Sequence, residues 1–220
     1  MVGRFDSGMG GELAVRYLRR YRPDADIAFL ADRKNAPYGK KSRDELISLV
    51  TRDIDALRGF GAEEILMACC TASTVYDYLP EEYKQGVIPI IRATATAAVQ
   101  LSENLRIGII ATDATVSSGA FEWEISKLCP HAEVIAHSSG ALVDAVERNG
   151  TADDKMLDNE LSFLDGTGIR TLILGCTHFA ALEEKIRKRG YLTVNSARIG
   201  AEMISHRAPR GRGSTLYINK

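Results

Sequence analysis

The sequence predicts an α/β protein of two similar domains, each a mostly parallel sheet flanked by helices, with the active site at their interface. Three observations carry that prediction. Short apolar runs alternate with helix-length segments along the whole chain, the pattern of βαβ units and parallel sheets. The alternation restarts near Leu105. Two of the apolar runs also look like copies of each other: Ile65-Leu66-Met67-Ala68-Cys69-Cys70-Thr71 and Leu172-Ile173-Leu174-Gly175-Cys176-Thr177-His178. An apolar run that stops at a small residue before a helix-starting Thr reads as a buried parallel strand opening onto a helix N-terminus.

In the first half, Val2–Phe5 reads as a strand and Gly10–Tyr21 as a helix with Leu13, Val15 and Leu18 among its apolar positions. Asp26–Ala31 is a strand. Ser42–Gly59 is a helix, marked by a capping box of Ser42 with Glu45 three residues on. Strand Glu64–Ala68, helix Thr71–Leu79, strand Val87–Ile91 and a helix from about Ala93 to Leu101 complete this half. The second half offers strand Leu105–Ala111, helix Ala114–Leu128 and strand Glu133–Ala136. Helices follow near Gly140–Arg148 and Asp153–Leu164, then strand Arg170–Leu174 and helix Phe179–Arg189. Strand Leu192–Val194, helix Ile199–His206 and strand Thr215–Ile218 close the chain. Gly3 precedes Cys69 by 66 positions and Gly108 precedes Cys176 by 68, as a duplication would have it. The boundary is expected within Arg92–Asn104. Residues 1–93 with about 198–220 would form the first domain, and residues 94–197 the second.

With 220 residues, 45% of them hydrophobic and 26% charged, the chain has an ordinary globular composition and length enough for a large core. A net charge of −1 argues against nucleic acid or a membrane surface as a partner. The basic stretch His206-Arg207-Ala208-Pro209-Arg210-Gly211-Arg212 reads as a solvated loop. No signal peptide is expected ahead of the first strand, and no apolar run approaches membrane-spanning length. Four cysteines in a chain this size do not make a secreted disulfide framework, so a reducing cytoplasm is expected.

The chemistry concentrates at strand ends. A cysteine at the carboxyl end of a strand lies where open α/β sheets bind ligands. A helix N-terminus beside it favours the thiolate. Two such cysteines, Cys69 and Cys176, one from each half, could face a single substrate from opposite sides, as a racemase without cofactor requires. Asp6-Ser7-Gly8-Met9-Gly10-Gly11 follows the first strand. Its glycines let backbone N–H groups approach an anion, and Asp6 can accept a proton or hold a cysteine in place. Asn35-Ala36-Pro37-Tyr38-Gly39-Lys40-Lys41-Ser42 reads as a turn before a helix. The hydroxyls of Thr112, Thr115, Ser117 and Ser118 are donors near a strand end or, equally, helix caps. Cys69, Cys70, Cys176 and His178 lack the close-spaced pairs usual for zinc, so no metal is expected. Cys129 reads as a core cysteine.

Together these stretches resemble the glutamate racemase branch of the aspartate/glutamate racemase superfamily. The matching segments are Phe5-Asp6-Ser7-Gly8-Met9-Gly10-Gly11, Pro37-Tyr38-Gly39-Lys40-Lys41-Ser42, Ala68-Cys69-Cys70-Thr71-Ala72-Ser73, Ala114-Thr115-Val116 with Ser118-Gly119, Gly175-Cys176-Thr177-His178 and Asn195-Ser196-Ala197. They occur in the family's order and span nearly the whole chain. The resemblance implies reversible interconversion of L- and D-glutamate, supplying D-glutamate for peptidoglycan, with no cofactor. It implies Cys69 and Cys176 as the two bases, with Asp6, Glu147 and His178 assisting proton transfer. Ser7, Pro37, Tyr38, Gly39, Cys70, Thr71, Thr115 and Thr177 would line the site of a small amino-acid substrate. A homodimer is allowed for. The family usually has Asn directly after the first cysteine, where this chain has Cys70, and a thiol replaces the amide's donors and acceptor poorly. A racemase or isomerase of another small carboxylate, a catalytically silent binding protein and a Cys69-Cys70 thiol redox protein are the alternatives. The last would need a strained eight-membered disulfide ring.

Overall fold

A computed structural model describes residues 1–6 and 10–219. Ser7, singled out above, lies outside the described residues. Among the described residues, nine strands form two sheets. The first contains β1 (Val2–Asp6), β2 (Ile27–Ala31), β3 (Glu64–Met67), β4 (Val87–Pro89) and β9 (Thr215–Asn219). The second contains β5 (Arg106–Ala111), β6 (Glu133–Ser138), β7 (Thr171–Gly175) and β8 (Leu192–Asn195). Every pairing in both sheets is parallel. The first sheet runs β4-β3-β1-β2-β9 and the second β6-β5-β7-β8. Taken in reverse, the second order becomes β8-β7-β5-β6, the same arrangement as β4-β3-β1-β2. β9 is the addition: it returns from the chain's end to pair with β2.

The main helices are α1 (Gly10–Tyr21), α2 (Arg43–Gly59), α3 (Cys70–Ser73), α4 (Glu81–Lys84), α5 (Ile90–Leu101), α6 (Asp113–Ser118), α7 (Ala120–Leu128), α8 (Gly140–Asn149), α9 (Asp154–Leu161), α10 (Glu183–Lys188) and α11 (Ser196–Ser205). They sort into layers because each sheet is apolar on both faces. One core joins the facing sides of the two sheets: Val2, Phe29 and Leu66 from the first, Ile107, Ile109 and Ile173 from the second, with Leu18 of α1, Ala95 of α5, Ile125 of α7 and Ile204 of α11 between them. The outer face of the first sheet (Phe5, Leu30, Ile65) packs on Leu46, Val50, Ile54 and Leu57 of α2. The outer face of the second (Ile110, Leu172, Leu174) packs on Leu142 of α8, Leu157 of α9 and Ile186 of α10.

The expected capping box is present. Ser42 Oγ accepts from the Glu45 N–H, and Glu45 Oε2 accepts from the Ser42 N–H at 2.8 Å. Three predicted helices are shorter or broken. The one expected over Thr71–Leu79 is a single turn, α3, followed by a 3-10 turn at Tyr76–Tyr78. Its hydroxyls bond the backbone instead: Thr74 Oγ1 donates to Thr71 O at 2.7 Å, and Ser73 Oγ donates to Met67 O at 3.1 Å and accepts from Ile90 N. The helix expected over Ala114–Leu128 is two, α6 and α7, because Gly119 adopts a left-handed φ of 63°. The segment after Cys176 is a 3-10 turn over Thr177–Leu182 before α10 begins. No helix among the described residues is long and apolar enough to cross a membrane.

Candidate active site

Both cysteine segments end their strands as the sequence predicts. Cys69 follows β3 as the residue capping α3, and Cys176 follows β7 as the residue capping the 3-10 turn. Gly175, just before Cys176, cannot be larger. A Cβ there would lie 2.9 Å from Ala111 Cβ and 3.0 Å from Phe121 Cε2. The small residue therefore lets the strand end close against β5 and α7 while the thiol projects beyond. None of the four cysteines is in a disulfide, and Cys69, Cys70 and Cys176 are buried.

The carboxyl ends of the two sheets enclose one cavity of about 510 Å³. Cys69, Cys70 and Thr71 line it from the first sheet, Cys176, Thr177 and His178 from the second. Pro37, Tyr38 and Gly39 form another wall, and Glu147 comes from the end of α8. The cavity thus gathers most of the residues that the sequence singles out. Two stand just behind it. Thr115 is buried and completes a triangle of hydroxyls: Thr71 to Thr112 at 2.9 Å, Thr112 to Thr115 at 2.9 Å and Thr71 to Thr115 at 3.2 Å. Thr112, rather than Thr115, reaches the cavity wall, and its Oγ1 also accepts from the Thr115 N–H to cap α6. The triangle ties the two sheets together at the floor of the site. Asp6, at the end of β1, is fully buried and off the cavity wall.

Tyr38 lines the cavity, but its hydroxyl turns into the core. It lies 2.7 Å from Asp32 Oδ2 and 3.0 Å from Asp53 Oδ2, both on fully buried residues. Burial, then the charges of Asp53 and Asp32, push its pKa far above the ordinary range, so the phenol keeps its proton. Arg52 and Asn35 also bind the Asp32 carboxylate. The Ala36-Pro37-Tyr38-Gly39 wall is anchored from behind by this network. The peptide between Ala36 and Pro37 is cis.

On the Cys176 side a relay is assembled. Cys176 Sγ lies 3.4 Å from His178 Nδ1, and His178 Nε2 is hydrogen-bonded to Glu147 Oε1. Burial, the largest single influence on His178, would lower its pKa. The Cys176 charge and hydrogen bond, the Asp6 charge and the Glu147 bond together outweigh it, and the value rises to about 10. The imidazole is therefore held cationic between the Cys176 sulfur and the Glu147 carboxylate. Cys70 behaves oppositely. Burial first, then the nearby Cys69, Cys176 and Asp6 charges, push its pKa well up against a hydrogen bond with Ser196. It remains a thiol. Ser196 Oγ also bonds Leu174 O at 2.8 Å, and Asn195 caps α11 and binds Glu183, so the Asn195-Ser196 segment ties elements together rather than lining the cavity.

Sequence reasoning passed over Arg33, Val143 and Asp144, which also line the cavity. Asp144 stands one helical turn before Glu147 on α8, a spacing that puts both on one face. Arg33 precedes the Pro37 turn by four residues and carried no signal of its own. No group of three or more His, Cys, Asp or Glu among the described residues is placed to hold a metal ion.

Two parallel sheets, each presenting a thiol at a strand end to one shared cavity, define an α/β protein built for proton transfer at a small substrate. The chain belongs to the Asp/Glu/hydantoin racemase family, whose sequence profile matches residues 16–204. It is 38% identical over 192 residues to the glutamate racemase of Desulforudis audaxviator, covering 85% of this chain and 70% of that one. It is 35% identical over 185 residues to that of Corynebacterium kroppenstedtii, covering 82% of this chain and 64% of that one. The crystal structure of Francisella tularensis glutamate racemase in complex with D-glutamate superposes with a TM-score of 0.88 at 27% identity, over 99% of this chain and 86% of that one.

Proposed function

We propose that this protein interconverts L- and D-glutamate, with Cys69 and Cys176 as the two acid–base groups. The observation that carries the proposal is the convergence of both thiols on one cavity from equivalent strand ends of the two sheets. Naming of the relatives as glutamate racemases supports the substrate. One thiolate removes the Cα proton and becomes a thiol. The thiol on the opposite face gives its proton to the planar carbanion and becomes the thiolate. The α-hydrogen is very weakly acidic, so the carbanion needs donors around the substrate carboxylate. The Thr71, Thr112 and Thr177 hydroxyls on the cavity wall are suited to that work. His178, held cationic by Glu147, stabilises a thiolate at Cys176. The scheme invokes no cofactor. The product would feed peptidoglycan synthesis in the cytoplasm, a location that four cysteines without a disulfide favour.

The test is α-proton exchange in D₂O with each glutamate enantiomer, followed by NMR and chiral chromatography. Exchange with conversion to the other enantiomer is expected. Absence of exchange with either enantiomer would reject the proposal. Cys70 favours one second reading, a racemase of another small carboxylate, because its buried thiol lacks an amide's donors. A panel of L- and D-amino acids in the same assay separates the two.

A further inference from the structure

β1 carries an arginine where its neighbours are apolar. Side chains alternate along a strand, so Val2, Arg4 and Asp6 share the face turned toward the helices between the sheets. Val2 belongs to that core, and Arg4 and Asp6 are both 0% exposed. Nε, Nη1 and Nη2 of Arg4 have no hydrogen-bond partner among the described residues. The guanidinium carbon stands 6.0 Å from the centroid of the Phe29 ring on β2. A buried charge with no hydrogen bonds is among the costliest things a core can hold, and an apolar side chain of similar volume would stabilise the fold. A cost of this kind is kept where function uses it.

The group it acts on is one pleat away. Burial lowers the Arg4 pKa to about 10, and attraction to Asp6 works against that fall. Asp6 in turn is close enough to raise the pKa values of His178 and Cys70. The charges therefore run in sequence from Arg4 through Asp6 to His178 and Cys70, which flank the two reacting cysteines in sequence. The cavity wall holds Asp144, Glu147 and three cysteines against the cations Arg33 and His178, and a dicarboxylate substrate brings more negative charge. A buried carboxylate in such company takes up a proton unless a cation stands by it.

We propose that Arg4 is a positioning residue that holds Asp6 as a carboxylate behind the cysteine segment following β3. The inference rests on the racemase reading above. As a carboxylate Asp6 can take up the proton of a neighbouring thiol; already protonated, it cannot take a second, and turnover suffers while the substrate's own contacts stay intact. The experiment measures kcat, KM and Tm for wild type, Arg4→Met, Asp6→Asn and the double variant, with both glutamate enantiomers. Arg4→Met is expected to melt no lower than wild type, to lose about ten-fold or more in kcat, one pKa unit's worth, and to keep KM within about two-fold. In the Asp6→Asn background the same change is expected to alter kcat by less than about two-fold, because its target is gone. Unchanged kcat in Arg4→Met, a loss that comes with a lower Tm, or an equal loss in both backgrounds overturns the proposal. A wild-type protein inert toward both enantiomers overturns the racemase reading itself, and the inference with it.

Discussion

Cys69 follows β3, whose neighbour β1 ends at Asp6; Cys176 follows β7, whose neighbour β5 ends at Ala111. The two thiols thus stand at equivalent places in two sheets of the same strand order. Their surroundings are not equivalent. Beside Cys176 the assisting group is an imidazole two residues along its own turn, His178, braced by Glu147. In the first sheet the position matching His178 is Thr71, and the position matching Ala111 is Asp6. One thiol has an imidazole on the turn that follows it, and the strand beside the other ends in a carboxylate. The two sheets share a strand order and a cysteine at the equivalent strand end, and differ in what surrounds each. That suits a reaction whose two half-steps face mirror-image substrates from opposite sides.

The comparison breaks most visibly if either thiol is dispensable. Cys69→Ser and Cys176→Ser are each expected to lower racemisation by roughly a thousand-fold or more, because a serine hydroxyl is a far weaker acid than a thiol. Each single variant is expected to retain proton abstraction from one face and so to release HCl from one enantiomer of a β-chloro analogue. Polarimetry and chloride release read the two effects. Near-normal racemisation in Cys69→Ser removes that residue from the chemistry.

The asymmetry itself is sharpened at His178. His178→Gln is expected to cost roughly 100-fold in kcat, within the usual range for a general acid–base group. The same variant has a stability signature. The folded pKa of about 10 lies above the ordinary 6.5, so the imidazolium's stabilisation is fully present below about 6.5 and disappears as pH rises through about 10. Melting curves of wild type and His178→Gln should therefore differ most near neutral and lower pH and converge at strongly alkaline pH. A difference that does not change with pH would mean that the imidazole is not held cationic by Cys176 and Glu147.

A smaller effect is expected at Cys70, where the family resemblance leads one to expect Asn. Cys70→Asn puts an amide at a cavity-lining position and recovers one hydrogen bond to a charged group, worth on the order of 1.5–3 kcal/mol. An increase of about ten-fold or more in kcat/KM for glutamate is expected. A fall would show a pocket built around the thiol and its bond to Ser196, and would turn attention to another carboxylate.

What could be read in advance follows the range of the interactions. Strands β1, β2, β3, β5 and β7 declare themselves because a buried parallel strand is a local apolar run. The Ser42–Glu45 capping box is a local exchange of two hydrogen bonds, so three residues suffice to see it. Cys69 and Cys176 stand out because a strand end fixes where a side chain projects. The relay needs Glu147 and His178 to meet across 31 positions, and nothing local announces that bond; only the family resemblance pointed to Glu147. The Thr71–Thr112–Thr115 triangle spans both sheets, and its capping bond alone was visible. Tyr38's hydroxyl points away from the cavity because Asp32 and Asp53 lie behind it, 6 and 15 residues distant in sequence. The helix expected over Thr71–Leu79 failed for a physical reason, since hydroxyls at Ser73 and Thr74 offered the backbone other partners.

The least effect is expected at the one cysteine that belongs to neither strand end. Cys129 closes α7, its N–H bonding Ile125 O at 2.8 Å, and, contrary to the core position expected of it, its side chain is only partly buried; it does not line the cavity. Cys129→Ala removes a partly covered sulfur and leaves the backbone bond that ends the helix in place. A stability loss of no more than about 1 kcal/mol is expected. Racemisation should stay within about two-fold of wild type, because nothing in the thiol chemistry of Cys69 or Cys176 passes through this residue. Thermal melting and kcat on the same preparation measure both. A large loss of turnover at unchanged Tm would show that α7, which packs against α5 between the sheets, transmits to the site an influence that its distance from both strand ends does not suggest.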